Sequence, residues 1–259
     1  DKNQMWATDN QGDWRGTSPL YLVKKDHFYG HPSSLVWDKN FVKEVSTNPL
    51  QYYIDNPDRY EADRTKSAVE FPQGFMCNSP SEPIVDNTAG SFGPFTGQLF
   101  VGDVAGSRIL RVMVEEVDGV MQGACVFFVT EGLGGGNNRL AFSPVGTQLF
   151  VGQTLRGWGR NTAEGLKRIT YTGEMPFEVK HISLQPDGFR LSFTKPVLPA
   201  TLEELSNYKA QSYWYRSSYR YGSSQRNKTD LDLLEATASE DGLSVDLKIA
   251  GIKRDRVIQ

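Results

Sequence analysis

The sequence predicts an all-β chain: the C-terminal blades of a β-propeller, six-bladed when complete, followed by an Ig- or fibronectin-like β-sandwich. Three observations predict it. The strand Leu99-Phe100-Val101-Gly102 recurs fifty residues later as Leu149-Phe150-Val151-Gly152, and a unit of about 40–50 residues made of short strands is the size of a propeller blade. Apolar segments are short and bounded by Gly, Pro, Asn or Asp, with little helical periodicity. Beyond Met175-Pro176 the pattern changes to alternating strands joined by the turns Gln185-Pro186-Asp187-Gly188 and Glu240-Asp241-Gly242, which suits a sandwich of short strands.

Taken in order, a first blade is expected near residues 1–37, built on Met5–Asp9 and Leu20–Val23. Residues 38–74 do not read as blade. They are polar and partly helical in propensity around Asp55–Arg64, and are expected to form a long inserted loop over one face of the ring, as a lid or merely as a mobile segment. Blades follow near 75–130 and 137–173, each repeat strand leading to a second strand, Arg108–Val112 and Gly165–Ile169. In a propeller each sheet is covered on both faces by its neighbours, so its central strands can be continuous apolar runs. The segment 176–259 is expected to be the sandwich. Both units read as incomplete, with earlier blades outside the chain.

Composition narrows the class. Charged residues are 23% and the hydrophobic set 38% of 259 residues, and the net charge is -3. That is a globular composition without the basic surplus expected of a nucleic-acid partner. No apolar run reaches the roughly 18 residues that span a bilayer. Cys77 and Cys125 are open to two readings, a pair or two buried thiols. Gly-x-Ser-x-Gly, P-loop and His-Glu-x-x-His motifs are absent, so hydrolase chemistry has no motif behind it.

Several positions carry possible chemistry. Arg139 follows a Gly-rich turn, Gly134-Gly135-Gly136-Asn137-Asn138. Its guanidinium could bind a carboxylate or a hydroxyl pair, or could brace neighbouring blades. Asn10 and Gln11, between Asp9 and Asp13, form an oxygen-rich turn that suits calcium or a self-capping Asx turn. Tyr29 and His31 precede a proline and could meet a sugar at the channel mouth, or pack as a turn. Asp103 and Gln153 end the two repeat strands and are expected to be channel-facing or exposed. Trp158, flanked by arginines, could stack on a sugar or pack between blades. The run Tyr213–Tyr221 reads as a strand first and as an arginine-interleaved glycan platform second. Asn227-Lys228-Thr229 fits a glycosylation sequon.

Three stretches resemble the soluble PQQ-dependent sugar (glucose/sorbosone) dehydrogenase family, especially large secreted bacterial propeller proteins with an Ig-like domain and often a cytochrome c domain. They are Trp6–Gly12 through Phe28–Pro32, Asn78–Ser81 with Gly97–Asp103, and Gly136–Leu140 with Ser143–Leu149. The resemblance implies oxidation of a sugar or sugar-derived alcohol by PQQ, a cytochrome c acceptor, and a periplasmic or extracellular location. It implies cofactor contacts from Arg139, Asn138 and Ser81, and calcium on carbonyls of Asn10 and Gln11. Substrate would meet Tyr29, His31, Asp103 and Trp158. The chain departs from the family at three points. No histidine matches the catalytic base, Pro19 stands at the acidic calcium position, and Ala105 falls near a cofactor-contacting lysine. Two other functions stay open: a carbohydrate- or protein-binding propeller module that has lost the redox site, and a polysaccharide lyase or hydrolase.

Overall fold

The computed structural model describes residues 4–155 and 164–259. Strands take 41% of the residues and helix 14%, in several antiparallel sheets of which none closes on itself. The all-β class therefore holds. Sheet one is an up-and-down meander of β1 (Met5–Thr8), β2 (Pro19–Val23) and β3 (Val69–Glu70). Between β2 and β3 the chain leaves the sheet for a helical excursion. A 3-10 turn at Pro32–Trp37 is followed by α1 (Lys39–Val45), α2 (Pro49–Asp55) and α3 (Pro57–Asp63).

The expectation of an inserted loop over 38–74 is corrected here. The segment is mostly helical, and its end returns to sheet one through Val69. The local reasons are caps. Asp38 Oδ1 accepts from Asn40 N and Phe41 N, and Asn48 Oδ1 accepts from Leu50 N. Pro49 and Pro57 then occupy first-turn positions, where a missing N–H costs nothing. The helices pack on their own aromatic cluster. Trp14, Tyr53 and Tyr60 are buried, with Phe28, Leu35, Phe41, Leu50 and Tyr52 against them. The buried hydroxyls are satisfied: Tyr53 donates to Asp63 at 2.9 Å and Tyr60 to the Trp14 carbonyl at 3.0 Å.

Sheet two is a four-stranded meander: β4 (Ile84–Val85), β5 (Leu99–Asp103), β6 (Arg108–Val117) and β7 (Val120–Val129). Sheet three comprises β8 (Gly136–Phe142), β9 (Gln148–Thr154) and β10 (Gly165–Thr170). The repeated motif forms β5 and β9, each the second strand of its meander. Sheet two is buried on both faces, as the apolar run of β5 predicts. Leu99 and Val101 face one core with Leu20, Val69, Phe71, Leu110 and Val112. Phe100 faces the opposite core with Phe92, Ile109, Leu140, Leu149 and Val151. A strand alternates its side chains between faces, so successive residues of β5 hold sheet two to different neighbours. The expected Gly-rich turn before Arg139 is also corrected. Gly136 to Arg139 lie in β8, with a register shift between Asn137 and Arg139.

The last third forms a four-stranded sheet, β11 (Val179–Gln185), β12 (Gly188–Phe193), β16 (Ser244–Ile249) and β15 (Leu233–Ala238), and a three-stranded sheet, β14 (Arg226–Leu231), β13 (Ala210–Trp214) and β17 (Val257–Ile258). Both contribute to one apolar cluster around Ala210, Val245, Leu247 and Ile249. Both predicted hairpins are present, β11–β12 across Pro186-Asp187 and β15–β16 across Glu240–Gly242. The strand reading of Tyr213–Tyr221 holds only to Trp214, and residues 215–225 are loop.

The two thirds are joined by Arg111 of β6, which has no exposed surface. Its guanidinium lies 3.7 Å over the Phe95 ring, donates to Gln98 Oε1 at 2.6 Å, and donates to the Val179 carbonyl at 2.7 Å. Glu178 is 3.7 Å away. Burial lowers the guanidinium pKa to about 10, against the pull of Glu178. The group thus stays a cation at neutral pH.

Cys77 and Cys125 are free thiols that share the core between sheets one and two. Burial pushes Cys77 well above the usual thiol value and Cys125 up to about 12. The thiolate is the nucleophile, so neither sulfur should react with a disulfide reagent at pH 8 in the native chain. Both should react within minutes in 6 M guanidinium. A rapid native reaction of either would place it outside the core.

Candidate functional site

The residues expected to bind cofactor, metal and substrate are largely engaged in structure. Ser81 is buried, and its Oγ accepts the Gly102 N–H at 3.1 Å. Arg139 is exposed and pairs with Glu82 at 3.3 Å, which joins sheet three to the segment leading into β4. Its Nη1 also donates to the carbonyl of Asn138 at 2.9 Å. Ser81, Asn138 and Arg139 are thus brought to one border between sheets. They do not fit a tricarboxylate quinone there, because their one guanidinium already faces a carboxylate and the Ala105 side chain carries no charge. Asp103 is neither exposed nor free: it is buried, and its Oδ1 accepts from Ser79 N at 3.0 Å and Ala105 N at 3.1 Å. Gln153, its equivalent, donates to Asn137 Oδ1 at 3.1 Å, and Asn137 donates to the Arg108 carbonyl at 2.9 Å. These rungs tie sheet two to sheet three. Trp158 lies outside the described residues.

The first turn behaves similarly. The Asp9 carboxylate accepts from Asn10 N at 2.8 Å and from Arg15 Nε at 3.1 Å. Gln11 donates its amide to the Gly16 carbonyl at 3.0 Å. These are the contacts of a turn whose polar side chains bond to its own neighbours. Among the described residues no group of three or more His, Cys, Asp or Glu comes together. Tyr29 staples its own hairpin, its hydroxyl donating to Leu22 O at 2.9 Å and accepting from Lys24 N at 2.7 Å. His31 caps the 3-10 turn: Nδ1 accepts from Ser33 N at 3.1 Å and from Ser33 Oγ at 2.7 Å, which leaves Nε2 to donate to Asp13 Oδ2 at 2.8 Å. That bond holds the Asp13 carboxyl below the usual carboxylate range. The Ser–His–Asp contact is therefore a local cap, with Asp13 on the wrong ring nitrogen for the usual nucleophile relay.

Among the described residues a further cleft lies elsewhere. A cleft of about 300 Å³ opens between α2–α3 and the loop 216–226, over Trp14. Tyr53, Ile54, Pro57 and Tyr60 form one wall, and Arg216, Tyr219, Arg220 and Arg226 the other. The loop is fixed by backbone. Trp14 N donates to Ser218 O at 2.6 Å, Ser223 N to Gly16 O at 2.8 Å and Gly222 N to Gly12 O at 2.9 Å. Gly16 permits this approach, since a Cβ there would stand 2.8 Å from both the Arg216 carbonyl and Tyr215 Cβ. Trp14 itself is held at φ 62, a region that non-glycine residues rarely adopt. Its carbonyl takes the Tyr60 hydroxyl while its N–H reaches the opposite wall, so one residue sets the spacing of both walls. Positive charge gathers on the loop. The Tyr219 hydroxyl is lowered by a hydrogen bond from Arg220 and by the charges of Arg220 and Arg216. The arginine–tyrosine run at 213–221 was the visible sequence signal for this wall. The facing aromatics carried none, because Tyr53 and Tyr60 look like ordinary helix positions. Comparison with protein families, with curated proteins and with solved structures gives no match for this chain.

Proposed function

We propose that this chain is a carbohydrate-binding module, built on propeller blades of the sugar dehydrogenase type with an Ig-like sandwich behind them, which takes its ligand in the cleft over Trp14. The observation that carries this reading is the cleft itself: the exposed Tyr219 ring and the apolar Ile54 and Pro57 beside guanidinium donors on a backbone-fixed loop. Sugars present apolar C–H faces and hydroxyl edges, and aromatic rings with convergent polar groups match both. The three consecutive meanders stacked face to face support the blade reading. The residues that would hold a quinone are bonded to the chain instead, which favours binding over redox chemistry. A secreted or periplasmic setting belongs to the same proposal. Among the described residues no helix is long and apolar enough to cross a membrane.

The test is titration calorimetry of the whole chain against a panel of soluble oligosaccharides, alongside a dye-reduction assay with PQQ and calcium. Binding without turnover is expected. Tyr219→Ala should weaken that binding about tenfold, the worth of one lost ring contact. If no saccharide binds, the reading fails. Sugar-dependent dye reduction would replace it with the dehydrogenase.

A further inference from the structure

Arg216, Arg220 and Arg226 all face the cleft, and among the described residues no acidic one lines it. Among the described residues none of the three reaches a carboxylate. Several arginines elsewhere do, as Arg59 does with Asp63 and Arg190 with Asp246, although Arg108, Arg168 and Arg256 do not; what marks the three is that they gather at one cleft. The concentration runs against the chain's net charge of -3. Uncompensated guanidinium groups repel one another, and their alignment on a loop pinned by backbone hydrogen bonds costs free energy that an anion would recover. A guanidinium presents a planar fork that matches carboxylate and sulfate oxygens in pairs. The opposite wall exposes Ile54 and Pro57 while Tyr53 and Tyr60 are buried, and Tyr219 is exposed beside the arginines; apolar surface of this kind suits a ring rather than a bare ion.

We infer that the cleft takes an anionic saccharide, one whose ring carries carboxylate or sulfate ester groups. This rests on the carbohydrate-binding reading above and narrows it to a charge class. The ring lies against Ile54, Pro57 and Tyr219, and its anionic substituent points to the arginines. Arg216 and Arg220 supply the forks, and Arg226 adds field from the first residue of β14.

The experiment compares three probes by calorimetry on the whole chain: an oligogalacturonate, a sulfated galactan oligomer, and a neutral galactan oligomer of equal length. Each is run at 20 mM and at 200 mM NaCl. The charged probes should bind at least tenfold more tightly than the neutral one, and should lose affinity at the higher salt as exposed charges are screened. The double variant Arg216→Gln, Arg220→Gln should remove that tenfold advantage with an unchanged thermal midpoint, since neither side chain has a carboxylate partner to lose. Preference between the two charged probes assigns the group as carboxylate or sulfate. Neutral and charged probes binding alike would overturn the anionic class while leaving the carbohydrate reading intact. Charged probes binding the double variant undiminished would overturn the assignment to this cleft. Failure of all three probes would sink the carbohydrate reading along with it.

Discussion

Replacing Arg111 by alanine should destabilise the chain by about 3 kcal/mol. The side chain is fully buried and makes two short, charge-assisted hydrogen bonds, to Gln98 Oε1 and to the Val179 carbonyl. Each such bond contributes about 1.5–3 kcal/mol, against which stands the cost of holding a cation out of water. That cost is real here, as the lowered guanidinium pKa records. Alanine relieves it, but strands two part-buried acceptors and empties the space over Phe95. Lysine should rescue little, because a single ammonium cannot reach Gln98 and Val179 in the fork geometry. Equilibrium urea denaturation gives the value. Arg111→Ala should also split one transition into two, because Val179 begins the last third of the chain while Gln98 and Phe95 belong to the region of sheet two. A single transition shifted by less than 1 kcal/mol would mean that the desolvation relief cancels the bonds.

The second large effect separates the two copies of the repeat. Gly102→Ala should cost about 3 kcal/mol, and Gly152→Ala less than 1 kcal/mol. A methyl on Gly102 would sit 2.5 Å from the Asn137 carbonyl and 2.7 Å from Ser81 Oγ, whereas one on Gly152 would meet nothing closer than Arg139 Cβ at 3.6 Å. Overpacking between rigid backbones costs about 1–3 kcal/mol, and Gly102 would also break its bonds to Ser81, which run in both directions. The glycines occupy equivalent places in sequence but different places in the stack: Gly102 lies where sheet two meets sheet three, and Gly152 where β8 bulges away. Thermal melts of the two variants read the difference directly. Equal losses would mean that the two sheets' neighbours are interchangeable.

How far the chain could be read in advance follows from the same contrast. The recurrence of Leu-Phe-Val-Gly located β5 and β9, and the unbroken apolar run forecast burial on both faces. The Pro-Asp-Gly and Glu-Asp-Gly turns located two hairpins of the last third. Strand pairing of this kind is local, and the residues that direct it lie within the element. The helical insert was legible in part, since the cap Asp38, the cap-and-proline start Asn48-Pro49 and the proline start Asn56-Pro57 are in plain view; its polar surface hid them. The expected site fared differently. Asp103, Ser81 and Gln153 are polar residues at strand ends, and nothing in the sequence distinguishes a group aimed at a ligand from one aimed at a neighbouring backbone. The cleft was least legible of all. It requires Trp14, Tyr53 and Arg216 to meet, and no periodicity links them.

That meeting has a kinetic consequence. The bond from Trp14 N to Ser218 O closes a loop of about two hundred residues, and contacts so distant along the chain form late because loop closure must be met in entropy first. The sheets and the helical insert can each assemble from neighbours, but the cleft exists only when the first and last parts of the polypeptide have found each other. Ligand occupancy would therefore act as a proofreading signal for completed folding. A ligand bound there would add its stabilisation to the final docking step and slow the first step of unfolding, while the early assembly of the sheets proceeds at its own rate.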